Sequence, residues 1–460
     1  MSDKAYVSTK QVPPVLEAIS GGDVVLIASR HGNRVELFGA SMLEWLAYGL
    51  AVFLILFPKG GFKAGSIPLT WGYGLIGIAI ILGLPFWLIR NSSNVRRGSF
   101  GALLCLAPLQ LLFLYSLAVN GVEDLGFAIS DVVTFFVLPF AFLIIFPQFL
   151  PKIRLARLVT LARWLIFLAA AYGIFLFAWR MVIGSYIEIP FLTVNIGDLG
   201  TLDEKFNNRG DGLFKLISTY NNGNQYGVAT LLLLPLFEAF DPSRFRKLIV
   251  WIALMLTLSR TVWVGLILNE AINIVRLLGY DLFSTPRLSV RRSSLLRLGR
   301  LAILSIFVLG MTFLFSGVSF LFDPSLGGRS SLLEYFSHAT LLPSAPVTNF
   351  LEIIYASAAL MLGWAGVAAI TLLFCAPFFL VTTFKELRRT PLQVAACQGL
   401  VLYIFLAAMD GALNYIPTMA FYWFLWMLFI YGGRDQAYSA TNNAGADSAQ
   451  ALGILVHNAP

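Results

Sequence analysis

Three arginines interrupt a strongly apolar sequence at positions suited to binding an anion. Arg260 stands between Ser259 and Thr261 where two apolar runs meet, and Arg209 and Arg329 fall in the two longest loops between apolar runs. An arginine stays charged at any relevant pH, and its planar guanidinium presents paired donors that match the oxygens of a phosphate. A charge beside lipid is costly and usually marks a function. The chemistry that this set predicts is the binding of a diphosphate, with the Ser259 hydroxyl as a further donor.

The segment that follows Arg209 contains further groups that favour an anion. Asp211 and Lys215 come directly after it, and an Asn-rich stretch that includes Asn224 leads into the next apolar run. A helix that begins there directs its first backbone amides and its dipole at negative charge. For Lys215, an ordinary solvated loop residue is the alternative interpretation.

Three side chains after Arg329 are candidates for acid–base catalysis, namely Glu334, His338 and Glu352. A carboxylate at the membrane surface can orient or deprotonate a hydroxyl group. An alternative stays open, in which Glu334 and Glu352 form ion pairs with Arg329 or Arg260. His338 fits a surface or packed histidine better than a base.

Secondary candidates lie in two places. Asn349 and Asp410 belong to the same predicted surface as the arginines, whereas Glu270 lies deep in an apolar run beside Asn269 and Asn273. An acid inside a membrane span is a functional candidate by default. No basic partner is predicted at that depth, so a protonated Glu270 bonded to the asparagines is the alternative.

A membrane domain must position these residues. Of the 460 residues, 58% are hydrophobic and only 12% are charged, with a mean hydropathy of +0.79; soluble domains carry about twice that charged fraction. Without water in the bilayer core, each span must satisfy its own backbone, so the spans are helices. The net charge of +8 lies in short loops between apolar runs and does not indicate nucleic-acid binding. The three cysteines lie in apolar runs, and neither a disulfide framework nor a metal site is predicted.

The fold class is an all-α integral membrane protein of about twelve transmembrane helices, each requiring about 20 apolar residues. The basic residues concentrate in the loops that become cytoplasmic when the N-terminus is inside. This topology makes 1–36 and 433–460 cytoplasmic tails of a membrane domain at 37–432, with long periplasmic loops at about 184–222 and 319–352. The predicted spans are 37–57, 71–89, 100–119, 127–150, 158–183, 223–240, 247–258, 261–278, 299–318, 353–382, 395–411 and 417–432.

Taken in order, these segments resemble the bacterial O-antigen ligase and polymerase superfamily, integral membrane enzymes that process undecaprenyl-diphosphate-linked sugars. The likeness covers mainly residues 205–366. It is carried by Arg209-Gly210, the stretch Asn221 to Gly227, Leu258-Ser259-Arg260, Gly328-Arg329, the stretch Asn349 to Glu352, and Gly363 to Gly366.

The resemblance implies a metal-independent glycosyltransferase of C-type-like architecture that needs no cofactor and works at the periplasmic face of the bacterial inner membrane. Arg209 and Arg260 would hold the lipid diphosphate. Ligases of the family typically carry a histidine just before the Asn of the Asn349 stretch, whereas this chain reads Val347-Thr348-Asn349. This departure favours a polymerase of O-antigen or exopolysaccharide repeat units.

Two alternatives remain open. One is a ligase that transfers the glycan to lipid A-core or another acceptor. The other, from a different class, is a flippase or transporter of lipid-linked oligosaccharide, which would need charges along a central path; only Glu270 is predicted to lie deep. The expected partners are the lipid-linked glycan, the bilayer and a chain-length regulator or flippase.

Overall fold

The structure, a computed structural model, is almost entirely helical. It describes residues 42–64, 67–89, 97–202, 207, 214–277, 299–300, 302, 305–306, 329–384, 387 and 390–433. Both predicted tails and most of the predicted ninth span lie outside these residues.

The described elements follow one another in an order close to the predicted spans. They are α1 (Met42–Leu56), β1 (Gly61–Ala64), β2 (Ile67–Thr70), α2 (Trp71–Ile89), α3 (Arg97–Val119), α4 (Leu125–Gln148), α5 (Leu155–Ile183), α6 (Gly223–Phe240), α7 (Arg244–Leu256), α8 (Arg260–Leu277), α9 (Ser330–Leu333), α10 (Tyr335–His338), α11 (Ile354–Thr383), α12 (Pro391–Ala407) and α13 (Ile416–Tyr431).

Apart from the ninth, each predicted span coincides with one of these helices to within a few residues. Among the described residues, α3, α4, α5 and α11 are long and apolar enough to cross a bilayer, and α1, α12 and α13 are shorter apolar helices. The fold is therefore that of an all-α, membrane-embedded protein, and the count of twelve crossings stays a prediction. We call the end of the helices that carries Arg260 and Asp410 the outer end, following the predicted topology.

A β-hairpin forms the connection between the first two predicted spans. Strands β1 and β2 pair antiparallel, with Gly61 opposite Thr70. Asn195, from the long segment after α5, bridges to Gly61 and donates its side-chain amide to the carbonyl of Phe62. The hairpin thereby ties the 184–222 loop to the first two helices.

Helix α4 contains two π-helical turns, Val133–Val137 and Ala141–Ile145, around Pro139. Pro139 has no amide hydrogen to donate. In an α-helix that amide would bond to the carbonyl of Phe135, and in a π-helix it would bond to the carbonyl of Thr134, so both carbonyls need another donor. Side chains of neighbouring helices provide these donors. Gln110 Nε2 donates to the Phe135 carbonyl at 2.8 Å, and Trp423 Nε1 donates to the Thr134 carbonyl at 2.9 Å. The π-turns thus anchor α3 and α13 to α4.

Helix α11 breaks at Gly363, which has φ of +68° and ψ of −169°. The amides of Trp364 and Ala365 are turned away from their own helix and donate to Thr340 and Leu341 at 2.9 and 3.0 Å. A side chain at position 363 would place Cβ 2.5 Å from the Thr340 carbonyl oxygen. The break explains the length of the tenth predicted span, 353–382. Its two hydrogen bonds hold the segment after α10 against α11.

Helices α6, α12 and α13 form the centre of the protein, with nearly all their side chains buried. Gly399 of α12 lies against α6, since a Cβ there would be 2.5 Å from the Leu232 carbonyl oxygen. Gly227 of α6 lies against α8, since a Cβ there would be 2.1 Å from Val262 Cγ2. Small residues therefore let these helices approach, which places the outer ends of α6, α8 and α12 side by side.

Candidate functional site

The guanidinium of Arg329 joins two acidic segments at the outer face. Its Nε forms an ion pair with Glu352, just before α11, and its Nη2 lies 3.1 Å from Asp410 Oδ2, just after α12. The Arg329 and Asp410 side chains are 15% and 8% exposed, whereas that of Glu352 is 50% exposed. Of the ion pairs predicted for Glu334 and Glu352, the one between Glu352 and Arg329 is confirmed.

The same Asp410 carboxylate extends the contacts to α6. Asn224 Nδ2 donates to Asp410 Oδ2 at 2.8 Å, and Lys215 Nζ donates to Asn224 Oδ1 at 3.4 Å. Lys215 is only 5% exposed, so the solvated-loop interpretation is wrong for it. A continuous chain of polar contacts runs from the buried Lys215 through Asn224 and Asp410 to the partly buried Arg329, and ends at the exposed Glu352. We call these five residues the outer cluster.

Three asparagines at the start of α6 have different structural roles. Asn221 adopts a left-handed conformation with φ of +60°, which asparagine tolerates better than most residues. Asn222 caps α6 by accepting from the amides of Asn224 and Gln225. Only Asn224 directs its side chain into the outer cluster, so the turn and the cap position it.

Arg260 is brought to the same place by the connection between α7 and α8. The amide of Leu216, next to Lys215, donates to the Leu256 carbonyl at 3.0 Å at the end of α7. Arg260 then opens α8 and is half-buried. The connection contains Leu258 with φ of +49°, a conformation that costs a non-glycine residue about 1 kcal/mol or more and often accompanies function.

Ser259 and Thr261 flank Arg260 but are directed inward. Both are 1% exposed, and the Ser259 carbonyl accepts from the Trp263 amide at 3.0 Å. The Thr261 hydroxyl is buried with no hydrogen-bond partner in the described part of the chain. Trp263 Nε1 donates to the Met255 carbonyl at 3.0 Å, which closes the connection. Ser259 therefore has a backbone role in this structure, and its predicted hydroxyl contact to an anion stays a prediction.

The turn after α12 is fixed by contacts to the segment before α11. The amide of Gly411 donates to the Glu352 carbonyl at 3.1 Å, and Asn414 Nδ2 donates to Asn349 Oδ1 and to the Phe350 carbonyl. The predicted candidate Asn349 thus holds the two segments together. These contacts set Asp410 opposite Arg329.

Lys59 is a cation of this region that the sequence did not single out. Its Nζ lies 4.5 Å from the centre of the Tyr415 ring, which also packs on Tyr220 with ring centroids 6.0 Å apart. The Tyr220 hydroxyl donates to the Ile55 carbonyl at 3.1 Å, so α1 is attached to the same corner. The available signal was a lysine just beyond the first span, on the face that is otherwise poor in positive charge.

Two of the predicted catalytic candidates, Glu334 and His338, do not join the outer cluster. Glu334, between α9 and α10, and His338, at the end of α10, are exposed, and within the described residues neither side chain forms an ion pair. The predicted pairing of Glu334 with Arg329 or Arg260 is therefore wrong. Arg209 and Asp211 lie outside the described residues.

Burial sets the protonation of the central carboxylate. It raises the pKa of Asp410 from 3.8 to about 6, and the negative charge of Glu352 acts in the same direction. Arg329, the Asn224 hydrogen bond and Lys215 oppose this rise without cancelling it. Near neutral pH the outer cluster can therefore change its charge by one proton, at the carboxylate that holds Arg329.

Glu270 has a basic partner, contrary to the prediction. Arg300 Nη2 lies 3.0 Å from Glu270 Oε1, and its Nη1 pairs with Glu238 at the inner end of α6. The arginine lies 30 positions after Glu270 in the sequence, and no local pattern reveals the pairing. Glu270 belongs to this inner group and not to the outer cluster.

The fold and the outer cluster define a membrane-embedded helical protein with a charged, partly buried site at one end of its central helices. No protein-family model matches this chain, and no curated protein matches it either. Within the described residues, no group of three or more His, Cys, Asp or Glu side chains is arranged to hold a metal ion.

Proposed function

We propose that the protein is a polymerase of O-antigen or exopolysaccharide repeat units. It transfers a glycan from undecaprenyl diphosphate to a sugar hydroxyl of a second lipid-linked unit at the periplasmic face of the inner membrane. The substrate class comes from the sequence resemblance. The structural support concerns the anion site.

The observation that carries the proposal is the meeting of the predicted cationic segments. Arg329 and Lys215 belong to one chain of contacts through Asp410 and Asn224. The Leu216–Leu256 hydrogen bond brings the connection before Arg260 beside Lys215. Segments that are far apart in the sequence thus bring cations to one corner at the predicted membrane surface, as a diphosphate requires.

The exposures of the two Arg329 partners suggest how a diphosphate enters. Glu352 is half exposed, so its ion pair is screened and contributes little, about 0–1 kcal/mol. Asp410 is buried and holds the other side of the guanidinium. A diphosphate oxygen therefore replaces Glu352 on Arg329, while Asp410 keeps the arginine in position.

The reaction that follows forms one bond and breaks another. The acceptor hydroxyl oxygen attacks the anomeric carbon, and the bond from that carbon to the diphosphate oxygen breaks with its electron pair on the diphosphate. Fixed cations stabilise this growing charge. The hydroxyl proton passes to the Glu352 carboxylate, which the diphosphate has released from Arg329. Glu352 is thus the favoured base, and Glu334 and His338 are less well placed.

A transporter is less well supported than an enzyme, although the inner group around Arg300 adds charge at depth. Between Gly227 at its outer end and Glu238 at its inner end, α6 presents apolar side chains with Thr230 as the single polar exception. Along this central helix the two charged groups are therefore separated by an apolar stretch, which does not favour a polar path for a glycan.

The phenotype of a deletion strain distinguishes the functions. If the protein is a polymerase, the deletion strain should lose long surface polysaccharide but keep single repeat units on the final acceptor. Complete loss of attached glycan with polymer left on the carrier lipid indicates a ligase, and unprocessed carrier in the inner leaflet indicates a transporter. Either of the last two results would overturn the proposal.

Substitution of the arginines tests the site directly. We expect Arg260→Ala and Arg209→Ala to abolish chain elongation, and Arg260→Lys to keep only part of it because the lysine retains charge without the paired donors. Arg246→Gln, at the inner end of α7, is the matched control and leaves elongation unchanged. Full elongation by both alanine variants, at normal membrane levels, would contradict a diphosphate site.

A further inference from the structure

A second polar network lies at the inner ends of the helices that carry the outer cluster. Arg300 bridges Glu238 of α6 and Glu270 of α8, and its guanidinium carbon lies 5.0 Å from the centre of the Trp251 ring of α7. Trp251 Nε1 also donates to Glu238 Oε1 at 2.9 Å. One arginine thus connects three helices.

Amide side chains extend this network to α12. Gln398 Nε2 donates to Asn269 Oδ1 at 3.0 Å and to Asn273 Oδ1 at 3.1 Å, and Asn269 Nδ2 donates to Glu238 Oε2 at 3.4 Å. Glu270 and Asn269 are completely buried, and Gln398 is 2% exposed. We call these residues, with Arg300 and Trp251, the inner network.

Each element of the inner network also leads to a residue of the outer face. Helix α6 carries Glu238 at one end and Asn224 at the other, and these are about 21 Å apart along a helix that rises about 1.5 Å per residue. Helix α8 carries Glu270 and opens with Arg260. Helix α12 carries Gln398 and ends just before Asp410.

The surfaces between these helices are apolar and fix their spacing better than their register, because dispersion and hydrophobic contacts are not directional. Buried hydrogen bonds and ion pairs are directional and expensive to break, and the setting of register is their best-attested role in a core. A shift of α6 against α8 would break the contacts of Glu238 to Asn269 and Arg300. A shift of α12 against α8 would break the hydrogen bonds of Gln398 to Asn269 and Asn273.

We propose that Arg300 is a positioning residue for the outer site. By bridging Glu238 and Glu270 it sets the register of α6 against α8, to which Gln398 attaches α12, and so holds Asn224, Arg260 and Asp410 in the arrangement that binds the diphosphate. The role rests on the proposed glycosyl transfer for its effect on activity, whereas its effect on the structure of the outer site is independent of that function.

A second ion pair on the inner face provides a matched control. Arg246 lies 2.9 Å from Asp241, a similar contact at similar depth, but the pair joins residues five positions apart across the α6–α7 turn. Breaking it removes a local contact without loosening α8 or α12. A general loss of stability would affect both variants, and a register role distinguishes Arg300.

The test compares Arg300→Gln and Arg300→Lys with Arg246→Gln in full-length protein purified in lipid nanodiscs. Hydrogen exchange is followed in peptides covering 223–228 and 409–415 at the outer face. We expect Arg300→Gln to accelerate exchange there about tenfold, Arg300→Lys to do so less, and Arg246→Gln to leave it unchanged. With transfer measured on lipid-linked repeat units, kcat/KM should fall about tenfold in Arg300→Gln, because the loosened site binds the diphosphate less tightly, and should be unchanged in Arg246→Gln.

Unchanged exchange at both outer peptides in Arg300→Gln, or equal acceleration in Arg246→Gln, would overturn the proposal. If Arg300→Gln does not insert into the membrane, Arg300→Lys decides the question by the same measurement. Absence of glycosyl transfer by the wild-type protein would refute the proposed function but leave the exchange result intact, so the two failures can be told apart.

Discussion

Arg329 and Asp410 are 81 positions apart in the sequence, and their Nη2 and Oδ2 atoms are 3.1 Å apart in the structure. The contact joins the start of α9 to the turn after α12, and Asp410 in turn accepts from Asn224 of α6. The pair is therefore the point at which the separate segments of the outer cluster meet, and its energetics can be measured.

Removal of Arg329 should destabilise the protein far more than removal of its exposed partner. Arg329→Gln leaves the Asp410 carboxylate buried without its charge partner, and we expect a loss of about 3 kcal/mol. Glu352→Gln should cost less than about 1 kcal/mol, because that side chain is half exposed. Denaturant unfolding of the two variants in the same detergent measures the difference. Equal losses would contradict the asymmetric roles of the two carboxylates.

Stability should decrease as the pH rises through 6. The pKa of Asp410 in the folded protein is about 6, above its ordinary value of 3.8, so the folded state favours the protonated form. This contribution is fully present below about pH 4 and is lost as Asp410 ionises, a change of about 3 kcal/mol. Thermal unfolding from pH 4 to 8 should show the decrease in the wild type and a smaller one in Asp410→Asn.

Anion affinity should follow the same titration in the same direction. Protonation of Asp410 removes one negative charge from beside Arg329, so inorganic diphosphate should bind more tightly as the pH falls through about 6. Calorimetric titration at pH 5.5 and 7.5 measures the difference. In Asp410→Asn the affinities at these two pH values should be closer together.

Gly227 should be required for the approach of α6 to α8. A Cβ there would lie 2.1 Å from Val262 Cγ2, so Gly227→Ala should separate the two helices, at a cost of about 1–3 kcal/mol, and lower elongation. Val262→Ala in the same chain removes the clash and should restore most of the activity. Gly74→Ala is the control, because nothing lies within 4 Å of a Cβ at that position. Failure of the double variant to recover would show that the Val262 clash is not the cause.

Lys59 should contribute to anion binding although it lies far from the arginines in the sequence. Its ammonium group is held over Tyr415 at the corner formed with Tyr220. An exposed contact between a cation and an anion contributes up to about 1 kcal/mol, so Lys59→Met should weaken diphosphate binding by up to about fivefold. Lys152→Met, at the inner end before α5, should have no effect. Identical affinities for the two variants would exclude Lys59 from the site.

The sequence by itself determined the fold class and the positions of the helices. Length and hydropathy decide which segments are membrane helices, since a backbone without water must bond to itself. Local chemistry also marked Arg260, Arg329, Lys215, Asn224 and Asp410 as candidates, because charge or amide groups beside apolar runs are conspicuous.

Only the tertiary structure decided which of these candidates meet, and with what partners. Arg329 pairs with Glu352 and Asp410 and not with Glu334. The reason is that hydrogen bonds to Glu352 and Asn349 hold the turn after α12, which carries Asp410, beside Glu352. Glu270 pairs with Arg300, and Lys59 joins the Tyr415 corner, through packing that brings distant segments together. Side-chain pairing depends on helix register and close approach at residues such as Gly227, and no local pattern in the sequence encodes these distances.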